Sequence, residues 1–514
     1  MKLCTGVALV GLSCTAAAIA LLGFAPPVNN LPFWLRGWPG YGHNAQHTAV
    51  GGVAAQPLNQ IHWQTPVDLQ PQYSGNLLFV HYGTPLITPR NNVLVTVKTG
   101  QFDTYRMECR KGSTGALIWT QPLDYSLPPH GWTPSCGSTL TPNNQVVMPA
   151  AGGTVLRRNS ADTAIMGVQR EAFYGLANYN AAPSTYDTQV KINTPLTCDK
   201  ASNVYFGFVC TGATPLNLTS GIARVDNHGN GTWVSARTVS GDNSIDQVVT
   251  NCAPALSNDG SKLYLAVRDG SNYGYMLCLD STSLALVSKK RLKDPGSAAD
   301  SHLFDDGTAS PSVAPNGDVF YGVLENPFYS NHLRGWMLHM DGALSAASFP
   351  PGAFGWDDTA SIFSSSLVPQ YTGGAQYLIL TKYNNYASTG GDGVNKIAVL
   401  DPTQTQIDPI SGVTVMKEVL VKAGPTPDPG SFGPNSPNAV REWCINTAAI
   451  DPVSKCGLVN CEDGILYRWD FATNTLSQAV VLTAGIGEAY TPTAMGPDGT
   501  VYAINDAKLF ACGQ

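Results

Sequence analysis

Ala314-Pro-Asn-Gly-Asp-Val-Phe-Tyr321 sets a tight polar turn directly against a β-branched and aromatic run. Pro presets one turn torsion and Gly accepts a positive φ at no steric cost, so the stretch predicts a hairpin whose second strand begins near Val319. The same phrase returns seven more times. Its turns are Thr88-Pro-Arg-Asn-Asn92, Thr141-Pro-Asn-Asn144, Asp199-Lys-Ala-Ser-Asn203, Ser257-Asn-Asp-Gly260, Gln370-Tyr-Thr-Gly-Gly374, Asp451-Pro-Val-Ser454 and Gly496-Pro-Asp-Gly499, and strand-like runs follow them, from Val93-Leu-Val-Thr-Val97 to Val501-Tyr-Ala503. Recurrence at about 45 to 80 residues, with no helical periodicity between, predicts an all-β fold, an eight-bladed β-propeller.

Composition agrees. Gly and Pro make up 88 of 514 residues and only 13% are charged, which suits turn-rich β-structure and excludes disorder. The net charge is −7 and the longest basic run is Lys289-Lys-Arg291, so nucleic acid is not an expected partner. Residues 1–25 combine Lys2 with an apolar run from Val7 to Ala25, and read as a signal peptide or membrane anchor. Cleavage at a small residue, retention as an anchor and acylation at Cys14 all remain open. The expected location is therefore secreted or in the cell envelope, with membrane contact only through this segment.

Without Cys4 and Cys14, ten cysteines remain, an even number in an exported chain, which predicts disulfides. Folding the hairpin about Asp451 to Ser454 places Cys444 opposite Cys461, the first expected bridge. Residues 26–56, rich in Gly, Asn and aromatics, are expected to wrap the outside of a ring spanning 57–514. The last repeat stops after its third strand, so Ile61-His-Trp-Gln-Thr-Pro-Val67 is expected to supply the fourth and close the ring.

Two stretches resemble a known family. Trp38-Pro-Gly-Tyr-Gly-His-Asn-Ala-Gln-His-Thr48 is similar to the tryptophan-led opening of quinoprotein-like propellers, and Cys109-Arg-Lys-Gly-Ser-Thr-Gly-Ala-Leu-Ile-Trp119 resembles their repeat. Elsewhere, as in Leu279-Asp-Ser-Thr-Ser-Leu284, the turn is kept and the Gly and Trp are lost. For the dehydrogenases of that family the resemblance implies pyrroloquinoline quinone stacked on a Trp, Ca²⁺ held by Glu and Asn, an Asp base and an adjacent cysteine pair. Trp132, Trp356 and Trp443 stand near the expected mouth, but no adjacent cysteines exist, which argues against the quinone. The envelope scaffolds of the family grip partners with loops on one face and need none of these groups.

Aligning the eight inner strands puts a charged or His residue just before each: His81, His130 with Trp132, Lys191, Asp246, Asp305 with Asp306, Asp357 with Asp358, Arg441 with Glu442, and Glu488. These predict a polar, mainly acidic funnel. Paired carboxylates there suit acid and base roles on a saccharide, carboxylate oxygens suit Ca²⁺, and the whole suits a polar ligand or protein loop. Asp300, His302 and Asp305 form the densest local set of metal-ligand types. The expected function is a non-catalytic binding or scaffold module acting through this funnel; the alternative is an enzyme using it, either quinone- and Ca²⁺-dependent or carboxylate-based.

Overall fold

The computed structural model describes residues 31–514 except 166, 306, 308, 446 and 489–491; the expected signal segment, 1–25, lies outside the described residues. Seven of the eight expected tight turns form, and each of the eight is followed by its expected strand; at Gln370–Gly374 a longer loop, with a short helix at Ser365–Leu367, joins Ser361–Ser364 to Tyr377–Tyr383. Positive φ falls where the turn chemistry needs it, at Asn91, Asn144, Gly260, Gly317 and Gly499. Among the described residues the strands make eight antiparallel meanders in chain order, here sheets 1 to 8, spanning 86–123, 139–171, 190–235, 245–291, 312–340, 361–423, 449–481 and 493–513. A small extra sheet joins Tyr73–Ser74, Leu77–Leu78 and Gly487–Glu488. No helix among the described residues is long and apolar enough to cross a membrane.

Gln60–Pro66 is the outermost strand of sheet 8, running antiparallel to Lys508–Gly513 from Gln60↔Gly513 to Pro66↔Lys508. Its Trp63 donates to the Gly112 carbonyl (2.6 Å) in the last turn of sheet 1, and Gly115, at φ 69°, leaves the space that the indole fills. A β-carbon at Gly115 would stand 2.7 Å from Trp63. Gly115→Ala is therefore expected to cost about 2 kcal/mol, combining left-handed strain with this clash, and denaturant unfolding at constant m-value measures it.

Inner strands such as Thr139–Leu140 are buried, whereas outer strands such as Thr475–Val481 are exposed along alternate residues. First strands of successive sheets lie against one another, from Thr139–Leu140 with Thr197–Cys198 to Ala449–Asp451 with Thr493–Met495. The segment expected to wrap the outside instead runs across these first strands. Trp38 pairs with Ile87, and the amides of Leu140, Leu256, Val313, Ile362 and Ile450 donate to the carbonyls of Pro39, Ala45, Gln46, Thr48 and Ala49, while Gln56 donates to Gly499. The physical reason is the free inner edge of each sheet, whose buried amides need acceptors that water cannot supply. A chain with left-handed turns at Gly42, His43, His47 and Ala49 bends tightly enough to serve them in sequence.

Candidate functional site

Where the loops leading into sheets 1, 2, 4 and 5 meet stands Asn251, φ 63°, in the loop leading into Ala255–Leu256. Its Oδ1 accepts from the Ser135 amide (3.0 Å), and its Nδ2 lies 3.2 Å from the Gly307 carbonyl and 3.4 Å from His81 Nδ1. One amide side chain thus links sheets 1, 2, 4 and 5. The expectation for this position was Asp246, which is exposed five residues earlier, its pKa raised by burial of the carboxyl and opposed by Arg268. Asn251 was missed because only charged residues and His were sought; its position two residues before Ala253-Pro-Ala255 was the available signal. Asp305 is clamped rather than free: Arg268 donates through Nε (3.0 Å) and Nη2, and the Thr250 amide adds a bond of 3.1 Å. From below, Tyr41 reaches Thr359 Oγ1 (2.8 Å). The cavity left among Tyr41, His81, Ser138 and Asn251 holds about 10 Å³, room for about one water.

A second cluster lies between sheets 6 and 7. Asp358 is buried and accepts from Thr381 Oγ1 and from the Lys382 amide (3.1 Å); burial pushes its pKa up to about 7 against the opposing pull of Lys382. Lys382 Nζ is 3.6 Å from Asp357, which takes a left-handed φ of 55°. Glu442 and Glu462 are both raised, first by burial and, for Glu462, next by Glu442 itself. Cys444 Sγ is 3.3 Å from Glu462, and ligand atoms of Glu442, Cys444 and Glu462 lie within 4.8 Å of one another. Arg441, half exposed, stands 3.8 Å from Glu462 and 3.6 Å from Asp428.

The remaining expected residues do not join these groups. His130 is exposed and bonds the Pro128 carbonyl at 2.7 Å. Trp132 stacks on Phe79, with centroids 4.7 Å apart, beside His81. Lys191 donates to Ser126 Oγ and the Asp187 carbonyl, and burial lowers its pKa. Glu488 is buried in the small sheet beside Leu78, and burial pushes it up to about 8. Asp306 lies outside the described residues.

The set Asp300, His302 and Asp305 does not converge as a metal site. Asp300 is held at about 2 by Arg291 (2.8 Å) with Lys293 (2.6 Å), His302 stacks on Phe328 at 4.3 Å, and Asp305 belongs to Arg268. The expected Cys444–Cys461 bridge is also corrected. Among the described residues no disulfide forms; Cys444 contacts Glu462, and Cys461 contacts the Glu442 carbonyl (3.1 Å). The hairpin pairs Ala449 with Leu458, a register that would set Cys444 opposite Asp463, and its strand begins only at Ala449.

No protein-family model and no curated protein matches the chain. Among solved structures, a europium-containing methanol dehydrogenase matches with a TM-score of 0.54 at 9% identity, over 91% of this chain and 89% of that one. A quinohemoprotein alcohol dehydrogenase from Pseudomonas putida HK5 matches with 0.47 at 10% identity, over 94% and 76%, and Saccharomyces cerevisiae Sqt1 with 0.49 at 10%, over 89% and 99%. The fold is that of a quinoprotein-like β-propeller.

The mouth does not fit a quinone. A cavity of about 10 Å³ cannot admit a fused three-ring cofactor, Phe79 covers a face of Trp132, Trp443 is fully buried against Tyr467, and the carboxylate of Asp305 is engaged by Arg268. For Ca²⁺, Glu442 and Glu462 bring carboxylate oxygens within 4.8 Å of one another, but the Cys444 sulfur within the same distance suits a softer ion.

Proposed function

We propose that the chain is a non-catalytic binding or scaffold propeller of eight blades, closed by Gln60–Pro66, that holds a polar ligand or a protein loop at its mouth. The observation that carries this reading is the filled axis. Residues 37–56 satisfy the inner strand edges from one side, and on the other Asn251 donates to the carbonyls of Asp305 and Gly307 while Arg268 clamps the Asp305 carboxylate, instead of facing an open cavity. Rigid walls of this kind can hold surface loops in place for a partner. Export to the envelope or outside the cell through residues 1–25 belongs to the same proposal.

Native mass spectrometry with an ultraviolet-visible spectrum of the purified mature chain, with and without Ca²⁺ and pyrroloquinoline quinone, tests it. A colourless, metal-free protein of unchanged mass is the expected result; a retained or reconstituted quinone would overturn it. One observation favours the enzymatic alternative: Glu442 and Glu462 place two raised carboxyls within 4.8 Å, the arrangement of an acid and base pair. On the scaffold reading, Glu442→Gln changes no turnover on any oligosaccharide panel, because there is none to change.

A further inference from the structure

Sheet 5 is the one antiparallel meander that ends, among the described residues, after three strands; the other seven each carry a fourth. The chain starts that strand and stops. Met337 and Gly352 exchange two backbone hydrogen bonds, of 3.1 and 2.8 Å. One step along the ladder, His339 faces Pro350, which has no N–H to give, and the Pro351 carbonyl is taken by Met416 (2.8 Å) of sheet 6. The pleat turns the N–H and C=O of His339 the same way as those of Met337, outwards. They face a groove of about 500 Å³ bounded by Lys290 and Lys293 from the edge of sheet 4, by Phe349 and Pro350, and by Val413 of sheet 6.

The charge of this groove opposes that of the chain. In a protein of net −7, the run Lys289-Lys-Arg-Leu-Lys293 gathers four cations within five residues. Asp300 answers both Arg291 and Lys293. Lys290 has no carboxylate within ion-pair distance among the described residues and donates instead to the carbonyls of Ser345 (2.8 Å) and Ala347 (2.5 Å). The rim therefore keeps an excess of positive charge beside an unpaired strand edge.

We propose that this groove docks an extended acidic peptide segment of a partner protein, added as the missing fourth strand of sheet 5. Its backbone pairs with His339, its carboxylates on one face meet Lys290 and Lys293, and its apolar residues on the other cover Phe349 and Val413. The site lies apart from the axial mouth and stands whether or not the mouth binds a ligand.

Fluorescence anisotropy of the full chain tests this with a labelled peptide, Glu-Val-Glu-Thr-Glu-Val-Glu. Saturable binding that weakens with salt is expected, with a loss of about tenfold or more in Lys293→Glu and in Lys290→Glu. Lys293 is half exposed, so Lys293→Glu should fold even if Lys290→Glu loosens the 345–347 loop; unchanged circular dichroism checks both. A peptide of the same sequence with N-methylated alternate amides should lose about tenfold while keeping its charge. No saturable binding, equal binding by the variants, equal binding of the methylated peptide, or equally tight binding of a thymidine decamer would each overturn the proposal, the last two by reducing the site to charge alone.

Discussion

Arg334→Met is expected to lower the unfolding free energy by about 3–5 kcal/mol, because it leaves a buried carboxylate without its cation. Arg334 and Asp408 are both almost fully buried and form a two-pronged pair, Nη1 to Oδ2 and Nη2 to Oδ1, each 3.1 Å. The pair ties the start of Trp336–Met340 in sheet 5 to the turn between Lys396–Ile407 and Thr414–Ala423 in sheet 6. Asp408 also accepts from the amide (2.8 Å) and hydroxyl (2.6 Å) of Ser411, so its turn depends on the same carboxylate. Across this junction sheet 5 has no fourth strand to pack on its neighbour, and a fixed ion pair takes over part of that task. Arg334→Met combined with Asp408→Leu is expected to recover most of the loss, since the desolvated charge is then gone. Urea unfolding of both single variants and the double variant checks this. A double variant as unstable as Arg334→Met would place the loss in packing around Tyr383, whose ring lies 5.7 Å from the guanidinium, and not in the charge.

The parts of this structure that the sequence revealed are the parts decided locally. A turn such as Ser257-Asn-Asp-Gly260 fixes its own φ angles, and the strand after it follows whatever lies elsewhere, which is why the strands after the turns, and Gln60–Pro66 beside Lys508–Gly513, stand where the repeat placed them. The path of residues 37–56 was not legible, because it answers to inner-edge amides contributed by strands from Ile87 to Ile450. The mouth was legible only as a list of positions. Whether Asp305 is a free carboxylate depends on Arg268, 37 residues away on another strand, and whether Asp300 is a ligand depends on Arg291 and Lys293. The bridge expected from Cys444 and Cys461 failed for a similar reason: the turn identifies the hairpin, but a shift of two residues in register, set by Lys455 at φ 56°, moves the pair out of line. The groove in sheet 5 was written plainly in Pro350-Pro351, and went unread because those prolines gain meaning only beside an edge that expects a partner.

Acid is expected to act on the segment that crosses the inner strands through two buried imidazoles. His43 and His47 are buried in the segment that crosses the inner strands, and burial lowers both to about 4, well under the ordinary value near 6.5. His47 Nδ1 bonds the Pro311 carbonyl at 2.8 Å and therefore carries the proton, which leaves Nε2 a buried acceptor with no partner among the described residues. A second proton there would place a charge with no acceptor against the edge of Tyr41. Between pH 6.5 and 4 the unfolded chain binds protons that the folded chain refuses, so stability is fully present above 6.5 and falls towards pH 4, by about 3 kcal/mol for each imidazole. The buried carboxyls Asp358 and Glu488 have the opposite sign. Raised to about 7 and about 8, they make stability fall as pH rises from the ordinary carboxyl range through those values, an effect as large as that of the two imidazoles, which it masks in the wild-type profile. The difference between wild type and a variant isolates one group. His47→Asn, which tolerates the left-handed φ of 58° at that position, is expected to lose stability at pH 7 through its smaller ring contacts and to lose about 2 kcal/mol less than wild type between pH 7 and 4.5. Urea midpoints across that range measure the two slopes. Parallel slopes would mean that His47 reaches solvent in the folded protein, and that the segment from Trp38 to Gln56 opens from the axis without unfolding the sheets around it.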